Sequence, residues 1–144
     1  MKSMKEEIMS TLGPKAVGPY SQAIRTGTLV ICSGQIGTDP KSGNFVPGGV
    51  KEQTKQVLKN IKAVLKAADC ALENVVKTTV FLQSMDDFAA MNDVYGAAFT
   101  KPYPARSTVE VAKLPKGALV EIECMARIPK EDSGCMCGGG CCHE

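Results

Sequence analysis

Between Glu52 and Ala68, apolar residues recur at Val57, Leu58, Ile61, Val64, Leu65 and Ala68, with lysines on the intervening positions. A stripe at that spacing predicts an amphipathic helix over 52–68. The next stretch, Asn74 to Gln83, alternates instead, and puts Val76, Thr78, Val80 and Leu82 on one face of a predicted strand. Ser84, with Asp87 three residues on, resembles a capping box. It opens a second predicted helix whose apolar positions include Phe88, Met91, Tyr95, Ala98 and Phe99.

Short strands flank this helical middle. Gln22–Arg25 and Leu29–Ser33 form a predicted hairpin about Thr26-Gly27-Thr28, where glycine supplies positive φ. Val17-Gly18-Pro19-Tyr20 leads into it as a turn, and Ser33-Gly34-Gln35 is expected to end its second strand. Asp39 to Gly49, with two prolines and three glycines, is expected as loop. Arg106–Ala112 and Ala118–Ile128 are the closing strands, joined by Lys113-Leu114-Pro115-Lys116-Gly117. In the last strand Ile122, Cys124, Ala126 and Ile128 share one face, and Glu121, Glu123, Met125 and Arg127 the other.

The order β-β-α-β-α-β-β implies an α+β sandwich, with two helices on one face of a sheet of about six strands. The opposite face then needs cover, which a second copy of the chain supplies most simply. No internal repeat is present. At 144 residues the chain suits one domain, expected over 1–132, followed by a Cys-rich tail over 133–144 expected to be disordered.

Composition narrows the chemistry. A net charge of +2 gives no reason to expect a nucleic-acid partner. Met1 to Thr11 carries charges throughout, unlike a signal peptide, and no apolar run reaches the length of a membrane span. A cytoplasmic protein without membrane contact is expected. Cys32, Cys70 and Cys124 lie among apolar residues and are expected to be buried thiols. The single histidine, His143, sits in the tail, so the folded body holds neither a Ser-His or Cys-His relay nor a His-based zinc site. Catalysis there falls to carboxylates, arginine, lysine, hydroxyls, backbone groups or water.

Arg106, at a strand start after Pro104, is either a surface residue or a fork of N–H donors for a carboxylate. Glu121, amid Leu119, Val120 and Ile122, is either an exposed carboxylate or one held for a purpose, and the pattern does not separate it from Glu123. Tyr20 fits core packing at a turn, Asn92 an exposed helix position, and Ser33-Gly34 a strand end.

A resemblance ranks these candidates. Val17 to Ala23 (VGPYSQA), Cys32 to Ile36 (CSGQI) and Tyr103 to Ala126 (YPARSTVEVAKLPKGALVEIECMA) resemble, in order, the signatures of the Rid (YjgF-type) family, across about residues 15–129. The resemblance implies a chorismate-mutase-like α+β fold, one mixed sheet, and a homotrimer with ligand clefts between neighbouring chains. It also implies cofactor-free, metal-free hydrolysis of reactive 2-imino acids or their enamine tautomers, such as 2-aminoacrylate, to 2-keto acids and ammonia. Carried across, Arg106 clamps the substrate carboxylate and Glu121 orients and deprotonates the attacking water. Tyr20, Ser33, Gly34 and Thr108 shape the substrate pocket, and Asn92 supports it. Glu123→Gln is then expected to be nearly silent. Position 108 is threonine where many relatives carry cysteine, so thiol-dependent regulation is not transferred.

Two other readings stand beside it. Some members of the family are described as translation inhibitors with ribonuclease activity, or as chaperone-like; no basic stripe with interleaved aromatics supports RNA contact here. In the tail, Cys135, Cys137, Cys141, Cys142, Met136 and His143 could wrap Cu(I) or Zn²⁺, although their spacing is not that of a zinc finger.

Overall fold

A computed structural model describes residues 4–130; the Cys-rich tail expected over 133–144, with His143, lies outside the described residues. Six strands form one sheet: β1 (Glu6–Ile8), β2 (Ala23–Thr26), β3 (Leu29–Ile36), β4 (Val75–Leu82), β5 (Ala105–Glu110) and β6 (Val120–Arg127). Their order is β1-β2-β3-β6-β4-β5. Only β4 and β5 pair in parallel, so the sheet is mixed. The last strand, β6, inserts between β3 and β4 and runs antiparallel to both. The two helices, α1 (Val50–Lys66) and α2 (Phe88–Ala98), are the crossovers from β3 to β4 and from β4 to β5.

Both helices pack on one sheet face. Val57, Ile61, Val64 and Leu65 of α1 are fully buried with Val30, Val80 and Ile122 of the sheet, as the periodicity of each segment requires. The buried polar residues on α1 all have partners. Asn60 Nδ2 donates to the carbonyls of Ile36 (3.0 Å) and Thr38 (2.9 Å), and Gln53 Oε1 accepts from the Leu119 amide (2.9 Å). These bonds fix the chain as it leaves β3 and as it enters β6. The other sheet face carries no helix and leaves Ile31, Val109 and Met125 exposed.

The structure departs from expectation at several points, each with a local cause. Strand β1 had no sequence signal: it is three residues long and buries only Ile8. In β4 the register against β6 shifts between Val75 and Lys77, so Val75 is 5% exposed and Val76 is 49% exposed. Val76 therefore does not share the buried face with Thr78, Val80 and Leu82. Nor does Ser33-Gly34 end a strand; β3 runs on to Ile36 through an irregularity at those two residues. Helix α1 starts two residues early, where Glu52 Oε2 accepts from the Gly49 amide at 2.9 Å. The Ser84–Asp87 capping box is not formed. Ser84 Oγ accepts from Asp86 N (3.2 Å) at a short 3-10 turn, Met85–Asp87, and Asp87 makes no side-chain cap for α2.

Candidate active site

The irregularity in β3 is the key to one half of the site. Cys32 pairs with Cys124 and Gln35 with Ile122, so two residues of β3, Ser33 and Gly34, stand against one of β6, Glu123. Such a bulge bends the strand and re-aims what lies on it. Here it brings the Gly34 backbone under the Glu121 side chain: a Cβ on Gly34 would sit 2.9 Å from Glu121 Cδ and Oε2. Any other residue would push the carboxylate aside.

Glu121 faces a cavity of about 890 Å³, whose lining includes Tyr20, Ser33, Gly34, Lys116 and Glu123. Half-burial, and secondly the charge of Glu123, raise its pKa above the ordinary carboxylate value. Tyr20 lies on the rim, its hydroxyl accepting from the Val17 amide at 3.3 Å. Ser33 is turned inward and bound, its Oγ donating to the Ser21 carbonyl at 2.6 Å. Lys116 enters the lining on a turn with φ of 56°, a left-handed conformation that a side-chain-bearing residue seldom adopts.

The other half lies at the β5 edge. Arg106 pairs with Thr78 of β4 and points to the helix side of the sheet. Its Nη1 donates to Asn92 Oδ1 at 2.8 Å, and its guanidinium carbon is 4.7 Å from the Tyr95 ring centroid and 5.6 Å from that of Phe88. The rings fix the plane of the fork, and Asn92 holds one arm. Thr108, two residues along the same strand face, has a buried Oγ1 with no hydrogen-bond partner among the described residues.

The seven residues singled out from sequence thus fall into two groups. Tyr20, Ser33, Gly34 and Glu121 share the cavity, and Arg106, Asn92 and Thr108 share the β5 edge. One chain does not bring the groups together.

The sequence model of the Endoribonuclease L-PSP family matches residues 11–128. The chain belongs to this family. A RutC family protein of Pyrococcus horikoshii is 53% identical over 123 residues, which are 85% of this chain and 98% of that one. A mouse protein named 2-iminobutanoate/2-iminopropanoate deaminase is 50% identical over 123 residues, 85% of this chain and 91% of its own. Among solved structures of the family, RidA from the Antarctic bacterium Psychrobacter superposes with a TM-score of 0.82 at 46% identity, covering 85% of this chain and 99% of that one.

Sequence reasoning named Asn92 as a support of this family site and missed the aromatic ones. Phe88, Asn92 and Tyr95 are spaced by four and three residues, one helical stripe, and that spacing was the available signal for an arginine seat. Tyr95 also lies in the core, as its helical spacing implies. Its hydroxyl is 2.7 Å from Thr78 Oγ1, and burial raises its pKa. Gln22 was missed too. Buried behind the cavity, it accepts from Ser10 N and donates to the Pro14 carbonyl, both at 2.6 Å, which ties the amino-terminal segment to the rim. No local pattern in the sequence marks it. Among the described residues no cluster of three or more His, Cys, Asp and Glu is placed to hold a metal ion, and no helix is long and apolar enough to cross a membrane.

Proposed function

We propose that the protein hydrolyses reactive 2-imino acids and their enamine tautomers to 2-keto acids and ammonia, in the cytoplasm, without a cofactor. The observation that carries this reading is Glu121. It is a carboxylate whose pKa is raised by burial and by Glu123, seated over Gly34 in an open cavity, in a chain about 50% identical to proteins named as imine deaminases. A protonated imine is already a strong electrophile. Holding it beside an oriented water is enough to lower the barrier, with no nucleophile of the protein's own. In this reading Arg106 grips the substrate carboxylate in a bidentate pair and Asn92 steadies the fork. Glu121 takes the proton of the attacking water, Tyr20 and Ser33-Gly34 line the reacting centre, and Thr108 offers its unpaired hydroxyl to the substrate.

The separation of the two residue groups supports a further part of the proposal. The site is completed between copies, with the uncovered sheet face turned inward, in a homotrimer. One domain over 1–132 carries it. Imine hydrolysis is favoured over RNA cleavage both by the deaminase names of relatives at this identity and by a net charge of only +2.

The test generates imines in situ with an amino-acid oxidase and follows keto-acid release across several side chains. Faster release with this protein is the expected result. Release at the uncatalysed rate for every imine, with RNA cleavage by the same preparation, would overturn the reading.

A further inference from the structure

Glu123 has no part in the reading above, yet it faces the same cavity as Glu121. On β6, Ile122 and Cys124 are buried beneath the helices, so the two glutamates flanking Ile122 both point to the uncovered face. Their Cα atoms are about 6.7 Å apart at the rise of an extended strand. That is inside the screening length of physiological salt, about 8 Å.

The surroundings leave this pair dominant. On β4, the residues paired with Glu121 and Glu123 are Phe81 and Thr79; on β3, Ile36 pairs with Glu121 and Gly34 packs beneath it; none of these carries a charge. The other titratable groups lining the cavity are Tyr20 before β2, Asp39 and Lys41 after β3, Lys15 in the amino-terminal segment and Lys116 before β6. The influences acting on Glu121 are burial and Glu123, and both disfavour its charged form.

Resting on the deaminase reading, we propose that Glu123 is a positioning residue acting through Glu121, its charge setting how readily Glu121 takes a proton from water and hands it on to the leaving nitrogen. The chemistry needs both transfers. As the water oxygen bonds to the imine carbon, a water proton passes to Glu121 and the C=N π electrons move to nitrogen. Glu121 then protonates that nitrogen, the C–N bond breaks with its electron pair leaving on ammonia, and the hydroxyl O–H pair closes the carbonyl. The released hydroxyl proton converts ammonia to ammonium. A carboxylate of ordinary acidity accepts the first proton poorly at neutral pH; a neighbouring negative charge corrects this. With Glu123 on the cavity, its replacement by Gln lowers turnover rather than being nearly silent.

The experiment titrates the full chain labelled with ¹³C at glutamate carboxyls, with Glu121 assigned by its loss in Glu121→Gln. In Glu123→Gln the Glu121 midpoint moves to lower pH, the acid limb of the kcat profile moves with it, and kcat at neutral pH falls. Glu123→Asp, which keeps the charge, restores all three. A Glu121 midpoint that coincides in wild type and Glu123→Gln overturns the proposal. A midpoint that moves in a protein unable to hydrolyse any imine upholds the coupling and sinks the deaminase reading instead, so the two failures are distinguishable.

Discussion

Arg106 and Glu121 lie on opposite faces of one sheet. On β4, Arg106 pairs with Thr78, which faces α2, and Glu121 pairs with Phe81, three positions on and facing away. In the proposed mechanism, a clamp and a base so placed act on one small molecule only when the β5 edge of one copy meets the cavity of another. Mass by light scattering after size exclusion is expected at three chains. A monomer that retains full deamination at nanomolar concentration would exclude the shared cleft.

Arg106 makes its polar contact with Asn92 and rests against the Phe88 and Tyr95 rings, so its charge alone does not define its task. Arg106→Ala removes charged hydrogen bonds worth about 1.5–3 kcal/mol, or roughly 10- to 160-fold in kcat/KM on carboxylate-bearing imines. Arg106→Lys recovers little of it, because an ammonium keeps the charge and loses the planar fork. Steady-state kinetics with the assembly mass held constant decide this. Wild-type kcat/KM in Arg106→Ala would remove the clamp from the mechanism.

Gly34→Ala tests the geometry under Glu121. The added methyl meets the carboxylate at 2.9 Å and forces it off its position. A displacement of about 1 Å costs up to ~100-fold in turnover. Melting temperature changes little, since the side chain displaced is flexible and borders open space.

Glu121→Gln separates stability from activity. In the folded state this carboxyl holds its proton to higher pH than in the unfolded chain, through burial first and Glu123 second. The folded state therefore binds more protons between the two pKa values, and stability falls as pH rises through that window. Glu121→Gln removes the loss. Its unfolding midpoint should match wild type at acid pH and exceed it above the raised pKa, while imine hydrolysis drops. Denaturant melts at a series of pH values check the sign, and a variant less stable than wild type at pH 8 would contradict it.

Asn60 carries the connection between α1 and the end of β3. Asn60→Leu keeps the volume but strips the donor from the Ile36 and Thr38 carbonyls, at a cost of about 1–3 kcal/mol. Urea unfolding measures it. Because Thr38 and Asp39 border the cavity, the variant should also raise KM.

Most of the fold was legible because its long elements keep strict periods. Helix α1 repeats its apolar stripe over four turns, and β6 alternates without a break. What escaped were places where the period changes or is too short to count. A bulge flips Val75 and Val76, a second one carries Ser33-Gly34 through a strand, and β1 has one buried residue. For the site, family motifs named the residues, and spacing could have supplied Phe88 and Tyr95. The division of those residues between two sheet faces depends on β6 inserting between β3 and β4, a long-range pairing that no local pattern encodes.

The buried thiols give this fold a set of internal clocks. Cys32 and Cys124 face each other across β3 and β6, and Cys70 is buried just beyond α1. Burial holds the Cys70 thiol, and the Cys32 side chain together with burial holds the Cys124 thiol, in the unreactive protonated form, so an alkylating reagent waits for the structure to part. Peptide-resolved labelling, which separates these three from the four cysteines of 135–142, should find Cys32 and Cys124 modified together and last, at the rate of global opening. Cys70 should react earlier, through loosening of the turn after α1 alone. The order in which three sulfur atoms acquire label thus reads which parts of the domain come apart first.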